Sequence, residues 1–191
     1  LVESSEPQYS DLVKYYKGKP WVELKRELVT SDGSDIIFYE GGAGFTNSTN
    51  KELISNYVDS QYIKEIKRSS ISINDLINEV SERGEVKWIH IDVEGMDGFL
   101  IEKILDVLPT EFNVIILFEN RNTKISSNDF LKKHPRINSI FKLSSTKTSF
   151  NSAPRWFNSL VHWWKDDGYT VIEEVNGSLG IGDFIISIGK L

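Results

Sequence analysis

The chain has 191 residues, 39% hydrophobic and 26% charged, enough for a sizeable core in one globular domain. A formal net charge of -6 and a pI near 5.2 argue against a nucleic-acid partner, whose phosphates need clustered Lys and Arg. The lack of cysteine excludes disulfides, zinc ribbons and thiol nucleophiles, and no apolar run approaches the roughly 20 residues of a membrane span.

Leu1–Ser5 reads as the tail of a strand. Pro7 suits the first turn of a helix, and Tyr9, Leu12, Val13 and Tyr16 recur at helical spacing through Gln8–Lys17. After the breakers Gly18 and Pro20, Trp21–Thr30 is expected to be extended. Ser31–Ser34 should turn, and Ile36–Glu40 should form a second extended piece, giving a strand with an added hairpin. Gly41–Asn50 has loop composition, Lys51–Lys67 is weakly patterned, and the basic run Ile63–Arg68 (IKEIKR) reads as a solvated helix face.

Ser72–Asp75 opens a short helix running to Glu82, which Gly84 closes. Val86–Val93 is a strong strand. Met96–Leu108 is a helix with Phe99, Leu100, Ile104, Leu105 and Leu108 on one side, stopped by Pro109, and Val114–Phe118 is a second strong strand. Arg121–Pro154 is polar and irregular, with a short helix expected near Asn128–Lys133. Trp156–Asp166 is amphipathic, its Trp156, Leu160, Trp163 and Trp164 stripe suiting a core. Tyr169–Val175 and Phe184–Ile188 are expected to pair as an antiparallel terminal hairpin.

No internal repeat or interdomain linker interrupts this order, so one domain is expected over residues 1–191. The alternation of strands and helices implies an α/β three-layer sheet, mostly parallel, with one antiparallel strand from the terminal hairpin. Such sheets bind ligands beyond the carboxyl ends of their strands. Here those ends carry Asp92, Glu94, Glu119 and Asn120.

Several segments resemble the FkbM-type methyltransferases in the right order. Lys87–Gly98 (KWIHIDVEGMDG) is similar to that family's strand-and-loop signature, Ser70–Glu79 (SISINDLINE) to its preceding segment, Leu117–Asn120 (LFEN) to its next strand end, and Leu1–Glu3 to the end of its second strand. His90 stands where the family commonly has lysine. The family's first strand and glycine-rich cofactor turn would lie before Leu1, so the domain is expected to be truncated at its N-terminus. Met96 is the only methionine, which agrees with a longer parent product.

The resemblance implies a Rossmann-like methyltransferase sheet, S-adenosylmethionine as cofactor, and O-methylation of a hydroxyl on a sugar, glycolipid or other small molecule. It implies that Glu3 holds the cofactor ribose, and that Ser31 and Asp32 lie near adenine. Asp92 would face the cofactor and acceptor. Glu94 or Glu119 would handle the acceptor hydroxyl, because an attacking alcohol must lose its proton and a carboxylate can take it. Each residue also has a plainer role. Glu3 can be a surface carboxylate, Ser31 and Asp32 can shape a turn, and Glu94 can cap the following helix. Glu119 can cap or turn, and His90 can pack within its strand.

Other readings remain open. Asp92, Glu94 and Glu119 could gather Mg²⁺ or Mn²⁺, although no metal is expected. Glu40–Gly44 has glycine spacing, but a nucleotide turn needs a following helix, a strand and an acid about 20 residues on. Asp59 offers only the acid. His134 and His162 fit no triad or metal spacing. Asn47–Thr49 and Asn176–Ser178 match the glycosylation triplet by chance-level patterns. A cytoplasmic location without a membrane span is the default, and the competing function is a non-catalytic α/β scaffold or interaction module.

Overall fold

The computed structural model describes residues 1–41, 47–93, 96–120, 134–144, 170–174 and 182–189. It is a mixed α/β protein whose sheets contain both parallel and antiparallel strands. Backbone contacts divide the chain into two units, Leu1–Glu82 with Val93–Val107, and Arg83–Asp92 with Leu108–Leu191.

The first unit opens with an extended segment in which Val2 bridges Lys25 in parallel. Helix α1 (Glu6–Tyr15) follows, with Pro7 in its first turn, where the missing N–H has no intrahelical role. Beyond it, β1 (Leu28–Thr30) and β2 (Ile36–Glu40) are separated by a turn but do not pair. The expected hairpin fails because β1 pairs in parallel with β5 (Ser70–Ser72), whereas β2 lies between β3 (Asn47–Ser48) and β4 (Lys64–Arg68), antiparallel to both.

The basic run is therefore a largely exposed strand rather than a helix face. Its alternation of Lys64, Ile66 and Arg68 on one face with Glu65 and Lys67 on the other suits the edge of a sheet. Asn50 starts the short α2 (Lys51–Ser55) by accepting the Glu52 N–H at 2.9 Å. A 3₁₀ turn occupies Ser60–Tyr62.

Helix α3 (Ile73–Ser81) begins where Ser72 accepts the Asp75 N–H at 3.0 Å and donates its own hydroxyl to Asp75 Oδ2 at 2.6 Å. It buries Ile73 and Ile77 and packs against α4 (Asp97–Val107). Helix α4 buries Leu100, Ile101, Ile104 and Leu105, while Phe99, placed on the apolar side in the sequence reading, is exposed. The pattern shifts by one position: Ile101 takes the inward place beside Leu105, four residues on.

The second unit is a five-stranded sheet with the order β6 (Trp88–Ile91), β7 (Val114–Asn120), β10 (Gly182–Ile188), β8 (Ile137–Ser144), β9 (Thr170–Glu174). Only β6 and β7 pair in parallel. Strand β10 runs antiparallel to both β7 and β8, and β9 runs antiparallel to β8. Three strands thus point one way and two the other, so in this sheet the expected mostly parallel pairing holds only at β6–β7. The terminal hairpin does not form either, because β10 is inserted between β7 and β8 while β9 pairs outside β8.

Strand β8 falls in the segment read as irregular. The expected helices near Asn128–Lys133 and over Trp156–Asp166 lie outside the described residues. The core of this unit sits on β7 and β10, whose Val114–Phe118 and Phe184–Ile188 are buried runs, as strands covered on both faces require. Arg136 fixes the chain just beyond α4, donating to the Leu108 carbonyl at 2.6 Å and the Pro109 carbonyl at 2.8 Å.

Candidate functional site

Parallel pairing aligns the carboxyl ends of β6 and β7. The last paired residues are Ile91 and Phe118, and Asp92 and Glu119 are the residues that directly follow them. On the other side of β7, Glu119 is the Cα partner of Asp183 in β10. Glu119 and Asp183 therefore share one row of the ladder, and Asp92 directly follows the last β6 residue that pairs with β7. The preceding row is apolar: Ile91 and Phe118 are buried, and Phe118 stacks on Phe184 with ring centroids 5.7 Å apart. Alternation puts Glu119 on the sheet face opposite Phe118.

Asp92 is exposed at the end of its strand, and Glu119 is half-buried. Asp183 was not singled out from sequence. Its available signal was an acid directly before the apolar run Phe184–Ile186, next to Gly182.

His90, expected to be packed, is exposed on β6; its neighbours Ile89 and Ile91 take the other face, where Ile91 is buried. Glu94 lies outside the described residues. The first turn of α4 instead holds Asp97, 4% exposed, where helix N–H groups and the positive helix end favour a carboxylate. Among the described residues no group of three or more His, Asp or Glu side chains could hold a metal ion. The divalent-cation reading of Asp92, Glu94 and Glu119 gains no support from them.

The remaining candidates lie in the first unit and have local partners. Glu3 is half-buried; its Oε1 accepts the Ser5 N–H at 2.7 Å, at the N-cap of α1, and its own N–H donates to the Lys25 carbonyl at 3.0 Å. Asp32 Oδ1 accepts the Ser34 N–H at 3.0 Å and the Ser34 hydroxyl at 2.8 Å. The Ser34 N–H, followed by its hydroxyl, holds the Asp32 carboxyl below the ordinary carboxylate value.

Ser31 enters the same turn. Gly33 there adopts φ 75°, and its N–H donates to Thr30 Oγ1 at 2.9 Å. A Cβ on Gly33 would stand 3.1 Å from Ser72 N, so the turn fits closely against β5.

Of the glycine-rich Glu40–Gly44 segment, residues 42–44 lie outside the described residues; on either side of it β2 and β3 pair antiparallel through Glu40 and Asn47, whereas a nucleotide turn leads from a strand into a helix. Asp59 caps the 3₁₀ turn by accepting the Gln61 N–H at 3.2 Å.

Comparison with known proteins finds no matching family model, no matching curated protein and no matching solved structure. No helix among the described residues is long and apolar enough to cross a membrane.

Proposed function

We propose that this chain carries an S-adenosylmethionine-dependent O-methyltransferase domain of Rossmann-like, three-layer type, acting on a hydroxyl of a sugar, glycolipid or other small molecule. The supporting observation is that Asp92 and Glu119 directly follow the last paired residues, Ile91 and Phe118, of two adjacent parallel strands. Ligands of α/β sheets bind at such strand ends.

When bound, S-adenosylmethionine would supply an electrophilic methyl group on a sulfonium. In this reading Asp92, exposed and free to approach a ligand, faces the reacting atoms and takes the hydroxyl proton. Glu119 orients the hydroxyl, with Glu94 as the second carboxylate for that task. Placement of the reactants accounts for most of the rate, since methyl transfer needs geometry more than covalent help.

Glu3 fits the ribose role in its chemistry. One carboxylate oxygen takes the Ser5 N–H, and the other can accept from a ribose hydroxyl. A hydrogen bond to a charged group contributes roughly 1.5–3 kcal/mol, so Glu3→Ala should weaken cofactor binding measurably. Ser31 and Asp32 keep a proposed adenine contact, with the Asp32 carboxylate already engaged by Ser34.

A second reading, a non-catalytic scaffold or interaction module, is favoured by that same local engagement, since Glu3 and Asp32 both serve neighbouring backbone N–H groups. Calorimetric titration of S-adenosylhomocysteine into this chain separates the two. Binding that weakens in Glu3→Ala supports the enzyme, and transfer of a labelled methyl to hydroxylated acceptors then identifies the substrate. Absence of binding favours the module.

A further inference from the structure

Helix α1 buries none of its residues, although its sequence places Tyr9, Leu12, Val13 and Tyr16 at helical spacing. Val13 and Tyr15 are exposed, and the turns that follow present Trp21 at 78% exposure. Those turns keep the segment together: the Lys19 N–H donates to the Tyr16 carbonyl at 3.0 Å, and the Val22 N–H donates to the Lys19 carbonyl at 3.1 Å. Gly18, at φ 80° with open space around it, lets the chain leave the helical path.

The eight residues Lys14–Trp21 contain three lysines, two tyrosines and a tryptophan, in a protein of net charge -6. Lys14 pairs with Asp11 at 3.0 Å. Among the described residues no carboxylate forms an ion pair with Lys17 or Lys19. Lys19 Nζ instead lies 4.5 Å and 4.9 Å from the Tyr15 and Tyr16 ring centroids, which hold its charge beside the aromatic surface. Exposed aromatic area of this kind marks an interaction site rather than ordinary surface.

Local positive charge on an acidic protein selects an anionic partner, and the accompanying side chains identify its chemistry. Tryptophan and tyrosine settle at the headgroup level of a bilayer, with an apolar body and a polar tip. Lysine extends its ammonium toward phosphates from an apolar stem. Nucleic acid is a poorer match, because a phosphate chain needs a longer basic track than three lysines.

We propose that α1 and the turns ending at Trp21 dock the first unit on an anionic lipid surface, peripherally and without spanning it. The attachment is independent of the methyltransferase reading. It is electrostatic in part and therefore weakens with salt.

The test is co-sedimentation of this chain with phosphatidylcholine vesicles, with and without phosphatidylserine. Binding is expected only when phosphatidylserine is present, with a blue shift of tryptophan fluorescence that Trp21→Phe diminishes. Lys17→Ala and Lys19→Ala should each weaken binding about fivefold, following roughly 1 kcal/mol per basic residue near the surface. Trp21→Ser should weaken it at least as much. All three positions are on or beside surface turns, and an unchanged far-UV spectrum verifies each fold. Failure to sediment, equal binding to neutral vesicles, or binding unaffected by all three weakening variants would overturn the proposal. So would binding of a soluble acidic polysaccharide through these residues without vesicle binding, which would make the surface a glycan site.

Discussion

Glu119 and Asp183 are direct partners across the antiparallel ladder of β7 and β10, two acids placed opposite each other beside a stacked Phe118–Phe184 pair. Their place beside the end of β6 gives this row its functional interest, because the proposed acceptor chemistry needs a carboxylate at the strand ends.

Phe184 tests the core behind that row. It is fully buried in the central strand and stacks on Phe118. Phe184→Ala should cost about 3–5 kcal/mol, which approaches the whole stability of a small domain. The expected outcome is loss of cooperative unfolding, seen by urea denaturation with near-UV circular dichroism. A loss below about 1 kcal/mol would mean that this sheet is not the centre of the fold.

The parts of this architecture legible in sequence are those set by local pattern. Val114–Phe118 is an uninterrupted apolar strand, Ser72 is a good helix cap, and Pro109 stops the helix before it. Strand β8 was illegible because Asn138, Ser139 and Lys142 interrupt its apolar residues, so neither a buried run nor clean alternation appears. Pairing with β10 on one side and β9 on the other makes it a strand. The insertion of β10 between β7 and β8 is likewise a long-range choice that no turn signal near Gly180–Gly182 encodes. In the site, Asp92 and Glu119 could be read from their strand ends, whereas Asp183 became visible only through register. Ser31 and Asp32 show the reverse case, since their turn chemistry was readable and it is what the structure displays.

Asp32 gives a pH prediction with a defined sign. The Ser34 N–H and hydroxyl hold its folded value below the ordinary 3.8. A depressed carboxyl contributes stability above its unfolded value and loses that contribution as pH falls through the folded one. The stability difference between the parent and Asp32→Ala should therefore be full above about pH 4 and shrink as acid is added. Carboxyl-carbon NMR titration should place the Asp32 midpoint below 3.8. A midpoint at or above it would show that the Ser34 contacts do not persist in solution.

Asp92 carries the chemical proposal most directly, and its exposure makes it a clean test. Substitution at an exposed strand end with no core role should change stability by no more than about 0.5 kcal/mol, so a loss of function in Asp92→Asn cannot be assigned to unfolding. Asparagine keeps the shape but cannot accept a proton from the acceptor hydroxyl. Positioned proton transfer contributes roughly 10²–10⁴-fold to rate, and a loss of that size is expected in methyl transfer. S-adenosylhomocysteine affinity should change far less than in Glu3→Ala, because Asp92 is assigned to the reacting atoms and Glu3 to the ribose. A variant that transfers methyl at the parent rate would remove Asp92 from the mechanism and leave Glu119 as the first residue to substitute. A variant that loses cofactor affinity as severely as Glu3→Ala would reassign Asp92 from proton acceptor to cofactor ligand.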